Sequence, residues 1–285
     1  MHKLILLFLL SSTYIFSNIN VIVSILPQQT FLKAIGGDKV NITLMVLPGN
    51  SPHTYEPKPS QMIAVAKSEL YLAIDVEFEH VWLPKFQSLN SKMHIVDSTK
   101  GIEKMPMKQA HHEHHEHESH DKHEGKDPHI WTSPSNVKII AQNIYEALVK
   151  YDAHNAPYYK TNLDTFLASI ANTDTQIREI LSPLKDSRTF MVFHPSWGYF
   201  AKAYNLEQIA VEVEGKSPKP RELVTLIKEA REEKVTAIFT QPEFSDASAK
   251  IIANELHIPV VKISPMAKDW SQNLIQMAKT IAGTK

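Results

Sequence analysis

Short runs of β-branched and aliphatic residues alternate with helix-length amphipathic segments along nearly the whole chain, and this pattern occurs twice. Residues 21–26, 41–47, 70–74 and 93–96 read as strands, with helical patterns over 27–36, 61–68 and 78–89 between them. The grammar returns as strands over 190–193, 206–211, 236–239 and 260–263, with helices over 197–204, 220–234, 247–256 and 269–281. Strands separated by helices cannot close tight hairpins; they pair in parallel, with the helices as crossovers. Between the halves, Leu163, Phe166, Leu167, Ile170, Ile177 and Ile180 keep a helical period through 156–181, with Pro157 confined to the first turn. Such a helix of about 25 residues would span about 37 Å, long for one domain and suited to a rigid spacer. The expected fold is therefore α/β: two lobes with mainly parallel sheets joined by a long rigid helix. The lobes cover 18–154 and 183–285, and the linking helix 155–182.

The N-terminus reads differently. Lys3 precedes an unbroken apolar run over 4–10, then Ser11, Ser12, Thr13 and Ser17, so 1–17 is expected to be a secretory signal. The run is too short to span a bilayer, which takes about 20 residues. The mature chain should be exported, with a periplasm as the simplest compartment. Its 30 basic and 31 acidic residues leave a net charge of −1, without the basic stripe a nucleic-acid partner requires. The chain has no cysteine, so any metal site must use His, Asp or Glu.

Histidine is abundant. His111, His112, His114, His115, His117, His120 and His123 share a tract with Glu113, Glu116, Glu118 and Asp121 and no apolar residue. The tract cannot form a core, and with its flanks it is expected to be a disordered loop over about 100–126. Imidazoles and carboxylates at this density suit accessory, weak metal binding. Ligands on a flexible segment must be ordered on binding, so a tighter site should lie elsewhere.

Three other histidines share a setting. His53 follows Pro52, His129 follows Pro128, and His194 precedes Pro195; each proline stiffens its loop. His53 and His194 also fall just past the carboxyl ends of expected strands, where open α/β sheets bind ligands. Two such sheets facing each other would bring these imidazoles into one cleft. Three nitrogens leave a fourth position of a tetrahedral Zn2+ for water or a carboxylate. His80, His94, His154 and His257 are expected to be structural or surface residues.

Four segments carry a resemblance: Pro48-Gly-Asn-Ser-Pro-His53-Thr-Tyr-Glu-Pro57, Asp127-Pro-His129-Ile-Trp-Thr-Ser-Pro134, Phe193-His194-Pro-Ser-Trp-Gly-Tyr-Phe200 and Phe239-Thr-Gln-Pro-Glu-Phe244. In this order the chain resembles the zinc/manganese solute-binding proteins of ABC transporters, on their periplasmic zinc-uptake side. The resemblance implies a metal held between two lobes, and a linking helix that limits closure. It implies His53, His129 and His194 as ligands, with His194 standing where manganese members typically carry Glu. It implies Zn2+ as transported ligand and an ABC-transporter membrane permease as partner. It leaves no small organic substrate and no nucleic acid, and it points to a monomer. The chain departs from the family pattern at Ser264, where many members place Asp, and at Pro52, where some zinc members place Glu. Water is then the expected fourth ligand, with Glu56, Asp269 or a tract imidazole as weaker candidates; Glu243 reads as a surface or lobe-contact residue. A manganese importer component and a surface adhesin of the same fold are alternatives. A secreted zinc hydrolase is the rival from another class, but no His-Glu-x-x-His pair is present to support it.

Overall fold

The computed structural model describes residues 18–107, 125–184, 188–212 and 216–284. The expected signal, 1–17, and all seven tract histidines lie outside these residues.

In the first half, β1 (Ile19–Val23) leads through α1 (Leu26–Gly36) to β2 (Val40–Leu44). Then come α2 (Pro59–Val65), β3 (Leu70–Ala73), α3 (Glu77–Leu89) and β4 (His94–Asp97). A short 3-10 turn, Ile130–Thr132, precedes α4 (Pro134–Tyr151), and a second one, Ala153–Asn155, precedes α5 (Ala156–Leu181). The second half runs β5 (Thr189–Val192), α6 (Gly198–Tyr204), β6 (Glu207–Ala210), α7 (Pro220–Glu232) and β7 (Ile238–Thr240). It closes with α8 (Ala247–Leu256), β8 (Val260–Lys262) and α9 (Trp270–Ile281). Five of the nine helices described carry proline in their first turn, where a missing N–H leaves no bond unmade.

The two four-stranded sheets have the same topology, β2-β1-β3-β4 and β6-β5-β7-β8, and every pairing is parallel. β1 lies between β2 and β3, with Val21 beside Ile42 and Ile22 beside Tyr71. Val21, Ile22 and Val23 are buried on both sides, which is why the run is continuously apolar rather than alternating. In each sheet the direction of winding reverses next to the first strand, which opens a crevice at its carboxyl end.

The lobes are not loosely strung. One hydrophobic cluster runs from β1 through α1, α4 and α5 to α9, so both lobes share it. Two tryptophans weld the seam: Trp131 Nε1 donates to Pro265 O (2.8 Å), and Trp270 Nε1 donates to Trp131 O (2.7 Å). Phe31 of α1 meets the Trp270 ring edge-on at 5.6 Å. A second cluster is confined to the outer face of the C-terminal sheet. Met191, Phe193, Ile209 and Ile238 pack there under α7 and α8, while Phe190, Val192 and Phe239 face the shared core.

The expectation of a structureless loop over about 100–126 fails at its two ends, 100–107 and 125–126, which are ordered. These ends pair antiparallel through Pro106 and Lys126, with Met107 N to Gly125 O at 3.1 Å and Asp127 N to Met105 O at 2.8 Å. Backbone pairing needs no apolar side chains, so hydropathy did not reveal it. No helix among the described residues is long and apolar enough to cross a membrane.

Candidate metal centre

The carboxyl ends of the two sheets face each other, and three imidazoles meet there. His194 is the middle one. Its ring centre lies 5.5 Å from that of His53 and 5.3 Å from that of His129. A tetrahedral zinc bound through two ring nitrogens, at Zn–N of roughly 2.0–2.1 Å, sets ring centres about 5.2 Å apart. Among the described residues no three His, Asp or Glu side chains already converge as they would around an ion. The three rings are neighbours, with their nitrogens not yet converged on one point.

Each imidazole has a carboxylate at its Nδ1: Asp127 Oδ1 for His129 and Glu212 Oε1 for His194, both at 2.8 Å, and Glu77 Oε1 for His53 at 3.4 Å. With the ring proton held on the carboxylate side, the Nε2 lone pair is left for a cation. Nε2 of His194 is buried and has no partner in the protein. The three acids bring negative charge to a cleft in which Asp127 and Glu212 are buried. A divalent cation is the charge that balances such a set.

The chain builds each post differently. His129 N donates to Asp127 Oδ1 (2.9 Å), and its carbonyl accepts from Thr132 Oγ1 (2.9 Å). Tyr199 of α6 reaches across the lobe boundary: its hydroxyl donates to Asp127 O (2.9 Å) and accepts from Met105 N (3.0 Å). Gly198 beside it allows the approach, since a Cβ there would lie 2.8 Å from Asp127 Oδ2. His194 lies two residues past the end of β5. Gln241 Nε2, just past β7, donates to His194 O at 3.0 Å, and Phe244 stacks on the His194 ring at 4.9 Å. His53 stands on the exposed loop after β2, where its N–H donates to Ser51 Oγ at 3.2 Å.

Proline neighbours therefore do not fix the three alike: the side chains of His129 and His194 are 7% and 9% exposed, that of His53 33%. Glu56 is exposed on the same loop. Asp269 is the N-cap of α9, accepting from Gln272 N at 3.2 Å, and it lines a cavity of about 760 Å3 with Gln29, Thr30 and Phe166. Capping gives that carboxylate its structural role. Ser264 donates to Glu243 Oε1 (3.3 Å), and both line a smaller cavity with Leu47, Pro48 and Gly49 of the other lobe, a lobe contact. His80 pairs with Asp75, and His94 stacks on Tyr151. Sequence reasoning missed Glu77, Asp127, Glu212 and Phe244. The signal for the acids was present: Glu77 and Glu212 fall just past strand ends, by the same rule that selects His53 and His194, and Asp127 lies two residues before His129.

Beneath the N-terminal half of the site lies a buried acid. Glu79 accepts from Ile74 N (2.9 Å), Asp75 N (2.6 Å) and Ser24 Oγ, and Ser24 in turn meets Tyr71 OH at 2.7 Å. Burial pushes the Glu79 carboxyl up to about 7, against these hydrogen bonds.

The profile of the family described as "Zinc-uptake complex component A periplasmic" matches residues 21–284. The chain is 30% identical over 242 residues to the high-affinity zinc uptake system protein ZnuA of Bacillus subtilis, covering 84% of this chain and 75% of that protein. It is 25% identical over 256 residues to the manganese ABC transporter substrate-binding lipoprotein ScaA of Streptococcus gordonii, covering 86% and 78%. Among solved structures, a crystal structure of ZnuA superposes with a TM-score of 0.85 at 41% identity, covering 94% of this chain and 99% of that one. A ZnuA deletion mutant with zinc bound gives 0.84 at 41% identity, covering 93% and 97%.

Proposed function

We propose, since this chain belongs to the zinc-uptake complex component A family of periplasmic proteins, that it captures Zn2+ between its lobes on His53, His129 and His194. It is a metal-binding component of an ABC zinc-uptake system. The ion is cargo, and the partner that receives it is the importer's membrane permease. The place of capture is the periplasm, and the binding unit is one chain.

One observation carries the ligand assignment: His194 Nε2 is buried without a partner between two further imidazoles, while Glu212 holds the opposite ring nitrogen. An all-nitrogen trio suits zinc better than the harder Mn2+, though a manganese-binding relative keeps that ion as the second reading. The zinc-uptake and manganese-transporter relatives described above favour transport over the hydrolase reading. Water completes the tetrahedron, and the tract from His111 to His123 adds weaker sites.

Calorimetry on chelator-stripped protein tests this. Each of His53→Ala, His129→Ala and His194→Ala should weaken the tight zinc site, by more than about 100-fold for His194, since orienting partners alone are worth 10- to 100-fold. Removing 108–122 should lower the stoichiometry and leave one tight site. Full-affinity zinc binding by His194→Ala would end the assignment. Competition between Zn2+ and Mn2+ in the same cell decides the choice of ion.

A further inference from the structure

The three imidazole–carboxylate pairs are unequal, and the inequality has a direction. Asp127–His129 and Glu212–His194 are closed at 2.8 Å and buried, and their backbones are gripped from several sides. Glu77–His53 stands open at 3.4 Å with His53 one-third exposed. The two members of that pair also differ from each other. Glu77 is the first residue of α3, anchored by the helix and favoured there as an acid near the positive end of the helix dipole. His53 rides on a surface loop, held by its own short turn through Ser51. Glu77 Oε2 is buried with no partner, so this carboxylate has acceptor capacity that the open pair leaves unused.

From this asymmetry we infer an order of engagement: the ion first meets His129 and His194, His53 binds last and leaves first, and Glu77 is the positioning residue that secures His53 once the ion is bound. The inference rests on the three-histidine reading above. An ion arriving with its waters finds two imidazoles already oriented. His53 then displaces one water, using Nε2. Coordination withdraws electron density from the ring and makes Nδ1–H a stronger donor, which draws it onto Glu77. Shortening that contact from 3.4 Å to the 2.8 Å of the other two pairs takes about 0.6 Å of ring movement, within reach of a loop. Opening follows the same path backwards. The shared core and the tryptophan seam hold the lobes together, so the exposed loop supplies the motion.

Stopped-flow kinetics separates this order from a merely structural role for Glu77. Zinc association is followed with the chelator-stripped protein, and dissociation by chasing the zinc form with excess chelator. Glu77→Gln should raise the dissociation rate about tenfold or more, the lower end of the range for orienting carboxylates. Its association rate should stay within about twofold of wild type, as should that of His53→Ala. Glu77→Asp, one methylene short, should not restore slow dissociation. His129→Ala should instead slow association. An unchanged dissociation rate in Glu77→Gln, or association slowed as much by His53→Ala as by His129→Ala, overturns the order. If His129→Ala and His194→Ala both bind zinc as wild type does, the underlying ligand assignment fails instead, and that outcome is distinct from the other two.

Discussion

Gly198→Ala should weaken metal binding from the other lobe, without touching a ligand. The added Cβ would lie 2.8 Å from Asp127 Oδ2, where ordinary contact begins near 3.4 Å, so the carboxylate must shift by about 0.6 Å. It has little freedom to do so. Asp127 N and O are bonded to Met105 and Tyr199, and Oδ1 holds both His129 N and His129 Nδ1. A shift of that size stretches a 2.8 Å bond to the edge of hydrogen bonding. Loss of an orienting carboxylate lowers affinity about 10- to 100-fold, or about 1.4–2.7 kcal/mol. The backbone makes no objection: Gly198 has no positive φ, and alanine is the better helix former by up to about 1 kcal/mol. Zinc affinity by competition with a calibrated chelator is the assay, with Asp127→Asn as reference and urea unfolding of the metal-free protein as control. Affinity within about twofold of wild type would refute the idea that the C-terminal lobe positions His129 through Asp127.

Two further substitutions probe the scaffold. Glu79 keeps its proton up to about pH 7 when folded but releases it near 4.5 when unfolded. Its contribution to stability is therefore full at acid pH and declines as pH rises between those values, by roughly 3 kcal/mol at most. Subtracting the urea-derived stability of Glu79→Gln from that of wild type at each pH should expose this slope, and a flat difference speaks against it. Trp270→Phe keeps an aromatic ring near Phe31 but leaves Trp131 O buried without its donor. That should lower stability by about 1–3 kcal/mol, read as a reduced urea midpoint at unchanged slope, and an unmoved midpoint would deny the seam its role.

Much of the architecture was legible because period and punctuation agree. The residues 21–23 are apolar without alternation because both faces of β1 are covered. Pro157 and Pro220 mark helix starts, and 156–181 could only be one long helix. The three histidines were legible from their places at loops and strand ends. What escaped was whatever depends on long-range meeting. Glu212 lies 18 residues beyond His194 and Asp127 lies 71 residues before Gly198; nothing local says that they touch. The stem through Pro106 and Lys126 escaped because its hydrogen bonds belong to the backbone. The unequal fixing of His53 escaped for a related reason. A proline restrains its own φ, but only packing restrains a loop.

The division of the C-terminal sheet between two hydrophobic clusters has a consequence for the way the molecule breathes. The N-terminal lobe, the linking helix and α9 share one core, so the buried amides of β1, β3, α1, α4 and α5 should exchange with deuterium mainly through global unfolding, while the exposed loops exchange locally. The layer of α7 and α8 has its own small cluster, and its opening leaves the larger one intact. Phe244, which stacks on His194, packs against that smaller cluster. Each partial opening of this layer thus loosens the support of the central ligand. An ion on His194 would be tied, by linkage, to the closed form, and would slow exchange in α7 and α8 in proportion to its occupancy. The smaller of the two cores would then report on the cargo held beside it.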